Sequence, residues 1–284
     1  MPQITKQQPV ATPSKNSVKS ANKRQSVLDR IVPVSEGDTK IKLCVYGRSK
    51  TGKTRFACTF PKPLLLIQTE EGTKSVSDVK GVDKIRLHNS DDLEVLTSHL
   101  ALGMYNTVVI DTAGGLQDLI FKEVVGLDEI PIQRTFGMAE RGHWMQVGVQ
   151  WKERIARLIS LSDKGVINTV VIAHERNFNE ESGSSDVMIP SVGAALTPQT
   201  AAWLNGACDY ICQTYIREQI ISTKQPGEAG LVLQTPTGKK EYCLRVGPHQ
   251  VYITGFRLPG NISLPDSLVD PTFDKINKLI KPLS

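Results

Sequence analysis

GRSKTGKT, Gly47 to Thr54, follows IKLCVY, Ile41 to Tyr46, an apolar run of strand length and β-rich composition. The stretch fits the pattern G-x-x-x-x-G-K-[ST] at every fixed position, with a strand in front and a helix expected behind. Gly47 and Gly52 let the backbone turn tightly, so that the N–H groups of Arg48, Ser49, Lys50 and Thr51 can face inward as a concave anion site. Lys53 is placed to reach the terminal phosphates of a bound nucleotide. Thr54 offers a hydroxyl for one Mg²⁺ position, and the helix opening there adds the positive end of its dipole. A glycine-rich turn matching by accident is the alternative, and the strand in front argues against it.

The chain has 284 residues, 39% of them hydrophobic, enough for one large α/β core. No apolar run approaches the roughly 20 residues of a membrane helix, and MPQITKQQPV lacks the apolar centre of a signal peptide, so no membrane partner is expected. The five cysteines are odd in number and at no metal-ligand spacing, which reads as buried apolar residues in a reducing cytoplasm. A net charge of +5 suits a polyanion partner without requiring one.

Residues 1 to 36 are rich in Gln, Ser, Asn, Lys and Pro and read as a flexible basic tail ahead of one domain, 37 to 284. Beyond the glycine loop a short helix is stopped by Pro61 and Pro63, and Leu64 to Gln68 forms a second strand with an acidic end, Glu70 and Glu71. Lys84 to His88 reads as a strand, Asp91 to about Leu102 as a helix, and Asn106 to Asp111 as an apolar strand closed by a carboxylate. Trp144 to Leu161 has helical spacing, and Ile167 to Ala173 is another apolar strand, followed by His174 and Glu175. Strands alternating with helices imply a parallel sheet whose ligands sit at its carboxyl edge. After about residue 205, Cys208 to Ile216, Gly230 to Gln234, Glu241 to Val246 and Val251 to Phe256 read as edge hairpins separated by PGEAG, TPTGKK and GPHQ. Asp270 to Ile280 reads as a closing helix.

Asp111 stands where a carboxylate can hold a Mg²⁺-bound water, the alternative being a strand-end cap. Glu70 or Glu71 can orient or deprotonate an attacking water, the alternative being a solvated loop acid. His174, at the end of a buried strand, can sense a terminal phosphate, although a lone histidine is more often structural.

Together, GRSKTGKT, LLLIQTEEG, NTVVIDTAGG and TVVIAHER resemble the RecA-like P-loop ATPases, most closely the phage nucleotide-binding family that includes the Sak-type single-strand annealing proteins. The resemblance spans about residues 40 to 280. It implies an α/β fold of RecA-like P-loop NTPase type: a mainly parallel sheet with flanking helices and C-terminal antiparallel strands. It also implies ATP and Mg²⁺ as cofactors, Lys53, Asp111 and His174 in catalysis, and Glu70 as the base. Gln68 stands where the family commonly has Asp and Glu71 where Gly is common, which leaves both acids as candidates for that base. Such relatives complete the site with basic groups from a neighbouring subunit in a homo-oligomer. Arg257 matches that position, with Gly255 in place of a lysine, and Arg245, Lys239 and Lys240 compete for the role. Single-stranded DNA would be met by loops after two of the strands. These are Gly126 to Gly142, with Arg134, Phe136 and Arg141, and the longer Arg176 to Thr197, whose acids also suit a lid over the nucleotide. A single-strand-binding protein is a further implied partner. A small-metabolite kinase and a non-catalytic nucleotide-gated scaffold are the competing functions.

Overall fold

The computed structural model describes residues 40–70, 72–128, 139–181, 188–224, 232–259 and 262–281. The expected tail at 1–36, Glu71, Arg134, Phe136 and the whole PGEAG turn lie outside them. In chain order the elements are β1 (Lys42–Gly47), α1 (Lys53–Ala57), β2 (Leu64–Gln68), a 3₁₀ turn (Thr73–Val76), β3 (Val82–Arg86), α2 (Asp91–Leu100), β4 (Thr107–Asp111), α3 (Ala113–Val125), α4 (Arg141–Asp163) and β5 (Asn168–Glu181). They continue with β6 (Met188–Ala194), α5 (Pro198–Ala207), β7 (Tyr210–Lys224), β8 (Val232–Arg245), β9 (Gly255–Phe256), β10 (Ser267–Val269) and α6 (Phe273–Ile280).

The sheet runs β10-β8-β7-β1-β5-β4-β2-β3, and the stretch from β7 to β3 is parallel throughout. β1 lies inside this parallel stretch, flanked by β5 and β7, which is why its sequence is apolar with no polar alternation. Successive side chains still divide between two faces. Cys44 and Tyr46 join Ile67, Ile110 and Val171 beneath α2, α3, α4 and α5, whereas Leu43 and Val45 join Leu66, Val109 and Ile172 beneath α1 and α6. The result is a three-layer α/β/α arrangement with antiparallel strands β8 and β10 on one flank.

Several expectations are corrected. β7 is not an edge strand: it pairs in parallel with β1, because helix α5 before it supplies the crossover. TPTGKK does not separate two strands. It lies within β8, where Glu218 pairs with Lys240 and Ile220 with Pro236, so that Gln219 faces the bulged stretch Thr237 to Lys239. Gly238, at φ 75, supplies the left-handed residue, and its N–H donates to the Glu218 carboxylate at 3.0 Å. Val251 to Phe256 holds only a bridge at Tyr252 and the two-residue β9. The expected long loop Arg176 to Thr197 begins instead as a β-ribbon, with β5 running on to Glu181 and pairing antiparallel with β6. α3 and α5 were not expected at all. All five cysteines are free and buried, as expected. Among the described residues, no helix is long and apolar enough to cross a membrane.

Trp151 ties the helical layer to the sheet's carboxyl edge. It is fully buried, meets Trp203 of α5 edge-on at 6.1 Å, and donates its indole N–H to the Ala113 carbonyl at 3.1 Å. Trp151→Ala should therefore lower stability by about 3–5 kcal/mol, the usual range for deleting a buried aromatic. Urea denaturation followed by circular dichroism checks this, and a loss below about 1 kcal/mol would show that the layer does not depend on that side chain.

Candidate functional site

β1 ends at Gly47, which lies in register with His174 on one side and Thr214 on the other. There is no room there for a side chain, since a Cβ on Gly47 would lie 2.4 Å from both the carbonyl and the hydroxyl oxygen of Thr214. The loop then folds on itself. Thr51 shares a hydrogen bond with the Thr214 hydroxyl at 2.6 Å and donates to the Arg48 carbonyl at 2.8 Å. Lys50 and Gly52 take left-handed conformations, at φ 66 and φ 89. Arg48 points outward to Glu175, at 2.8 Å, and Ser49 lines the cleft beside it.

Lys53 is buried and donates to the carbonyls of Gly47 at 2.8 Å and Arg48 at 2.7 Å. Burial pushes its pKa down, against the upward pull of Asp111, Glu175 and Glu70. A phosphate beside it would further favour the charged form. Thr54 donates to the Asp111 carboxylate at 2.8 Å, so the two groups expected to share a Mg²⁺ already touch. Burial raises the Asp111 pKa, opposed by the Thr54 hydrogen bond and the Lys53 charge. Among the described residues, no group of three His, Cys, Asp or Glu side chains could hold a metal alone. The Thr54–Asp111 pair therefore fits an ion that takes its remaining ligands from phosphate and water, the habit of Mg²⁺ rather than of a caged metal.

Strand register brings the other acids to the same edge. Gln68 pairs with Asp111, which places Glu70 just past the end of β2. Thr112, the N-cap of α3, accepts from the Gly115 N–H at 3.1 Å and donates to Glu70 at 2.8 Å. His174 Nε2 lies 3.6 Å from the other Glu70 oxygen, a contact longer than a hydrogen bond. His174 and then Thr112 hold the Glu70 carboxyl below the usual carboxylate range, against the effect of burial.

Lys53, Thr54, Glu70, Asp111 and His174 thus line one cleft of about 910 Å³. Arg257 is not brought to it. It follows β9 at the amino end of the sheet, where its guanidinium bonds Asp209 at 2.9 Å and the Gly206 carbonyl at 2.6 Å. Arg141 is exposed in the first turn of α4, not in a loop.

Three features escaped sequence reasoning. The first is Gly115, where a Cβ would lie 2.2 Å from the Thr69 hydroxyl and 3.0 Å from Glu70. The second is Thr214. The third is a polar relay: Arg48 bonds Glu175, Gln213 bonds the other oxygen of Glu175 at 3.1 Å, and Arg245 bonds Gln213 at 3.0 Å while lying over Tyr252. The GG pair after Asp111 was the one local signal for any of these.

A strand, a glycine loop with its lysine, and a carboxylate on a nearby parallel strand define a P-loop NTPase. A family model described as an AAA domain matches residues 39–258, and the chain belongs to that family of nucleotide-binding P-loop ATPases. Comparison with curated proteins gives no match.

The Glu70 contacts make a pH prediction. Its lowered pKa means that the stabilisation from its ionised form holds above the ordinary carboxylate range and is lost as pH falls through the folded value. In His174→Ala, the leading cause of that lowering is gone and burial still acts. The Glu70 carboxyl should then titrate at higher pH, as read by carbon-detected NMR, whereas an unmoved titration would mean that His174 does not act on it.

Proposed function

We propose that this protein is a Mg²⁺-dependent ATPase that acts on single-stranded DNA in recombination or strand annealing, working as a homo-oligomer. The observation that carries the hydrolytic part is the placing of Glu70 beside the phosphate loop, with one oxygen held by Thr112 and the other facing His174. A carboxylate kept ionised at neutral pH can accept a proton from an attacking water. Lys53 binds and neutralises the terminal phosphates, and Thr54 with Asp111 would hold the Mg²⁺ that spreads charge over their oxygens. His174 positions Glu70 and faces the same space.

The DNA part is supported by the motif resemblance to the Sak-type family, by the +5 net charge, and by the course of α4. Trp151 is level with Ala113 at the carboxyl edge, and Arg141 comes ten residues earlier in the helix. At 1.5 Å per residue, α4 therefore extends about 15 Å past Trp151 towards its exposed amino end. Arg141 is thereby presented beyond the edge that holds the nucleotide site.

Lys53→Ala should abolish most triphosphate binding, while Glu70→Gln should spare binding and slow hydrolysis by about 10²-fold or more. If Glu70→Gln turned over at the wild-type rate in a phosphate-release assay, the assignment of the base would pass to another group.

Labelled single-stranded oligonucleotide should bind with strong salt dependence and raise the hydrolysis rate. Replacing Arg134 and Arg141 together by Ala should reduce the slope of log affinity against log salt by roughly 1.4, at about 0.7 per phosphate. Fluorescence anisotropy across a salt series, with and without ATP, measures this. No binding at low salt in either state would remove the DNA role.

A further inference from the structure

The cleft extends well beyond the groups that handle phosphate. The sheet order sets Glu70, Asp111 and His174 on strands to one side of β1, and β7, β8 and β10 to the other. A nucleotide whose terminal phosphate meets Glu70 must therefore lead its nucleoside away from these acids. The wall at that other side is Tyr242 of β8 with the turn Asp270 to Thr272 that follows β10.

These residues form a built surface. Tyr242 lies two positions from Leu244, which is buried against the α1 layer, so its ring projects on the same face of the sheet as α1. It reaches the phosphate loop directly, since a Cβ on Gly52 would lie 3.4 Å from the Tyr242 ring. Tyr242 is 46% exposed, although it borders the cleft. The Asp270 N–H donates to the Tyr242 carbonyl at 2.8 Å, which docks the turn on this strand. Asp270 takes φ 46, a conformation that non-glycine residues seldom adopt. Lys275 secures the turn, donating to the carbonyls of Val269 at 2.7 Å and Asp270 at 2.9 Å. Thr59 of the α1 end accepts the Phe273 N–H at 2.8 Å, which joins the floor of the cleft to the same turn. The turn is thus held from three sides, and the Asp270 carboxylate makes no hydrogen bond to the described residues.

We infer that Tyr242 and Asp270 form the nucleoside subsite, the Tyr242 ring stacking on the base and the Asp270 carboxylate accepting a hydrogen bond from the nucleoside. This rests on triphosphate binding at Lys53 and adds the residues that distinguish a nucleotide from a bare polyphosphate. Phosphate contacts alone would hold inorganic tripolyphosphate as well as ATP. A stacking face adds an affinity that depends on the base, because every base offers a π-surface.

The test compares ATP with inorganic tripolyphosphate by calorimetry on the full chain. Tyr242→Ala should weaken ATP by about tenfold and leave tripolyphosphate unchanged, and Tyr242→Phe, which keeps the ring, should bind ATP within about twofold of wild type. Asp270→Gly, which suits the positive φ and removes only the carboxylate, should weaken ATP several-fold and tripolyphosphate not at all. Equal ATP affinity in wild type, Tyr242→Ala and Asp270→Gly, with tripolyphosphate still bound, would overturn the subsite alone. Failure of wild type to bind either ligand would overturn the phosphate-loop assignment, and the subsite with it.

Discussion

The contact between Gly47 and Thr214 is the constraint on which the site depends. β1 is flanked by parallel neighbours on both sides, and its last residue must pass a threonine backbone at a distance that excludes any side chain. Because the chain can pass there, Thr51 reaches Thr214, the loop closes back over Arg48, and Lys53 enters the first turn of α1 from inside the curve. The anion site is thus a product of sheet packing. The glycine is required by β7, an element more than 150 residues later in the chain, as much as by any ligand.

The same sheet order separates the acids of the cleft from its aromatic wall. Acids cluster on β2, β4 and β5 to one side of β1, where register sets Asp111 opposite Gln68 and brings His174 to the level of Gly47. On the other side an aromatic ring and a docked turn meet the loop. The two halves are joined by the relay from Arg48 through Glu175 and Gln213 to Arg245, which crosses the β1, β5, β7 and β8 edge. The relay runs from Arg48, just past β1, to Arg245, the last residue of β8, so the loop and the outer hairpin share one polar frame.

Much of this was legible in the chain because a strand buried on both faces leaves a continuous apolar run. IKLCVY, LLLIQ, NTVVID and INTVVIA each gave a strand and, at or just past its carboxyl end, a candidate site group. What escaped lacked that signature. α3 opens with Ala-Gly-Gly, a poor helix start by propensity, and Gly115 is there because Thr69 and Glu70 press against it. TPTGKK carries every local sign of a turn, yet pairing with β7 holds it in a bulge. In the ribbon of β5 and β6, RNFNEE has Phe178 as its only apolar residue, so the sequence shows no alternation. Contacts such as Glu175 with Gln213 and Gln213 with Arg245 span more than 30 residues, and nothing in the local pattern announces them.

Lys53 rests on the carbonyls of Gly47 and Arg48, oxygens of the same loop it serves. The loop thus carries its own stand-in for a ligand, and an incoming anion must outbid two well-placed acceptors before the ammonium will turn to it. Any anion offers the ammonium a charge-assisted bond that neutral carbonyls cannot, and a chain of phosphates can engage the lysine, the loop amides and Thr54 together. The resting bonds therefore hold the ammonium inside the curve of the loop, so that its charge is already aimed at the space an anion would enter.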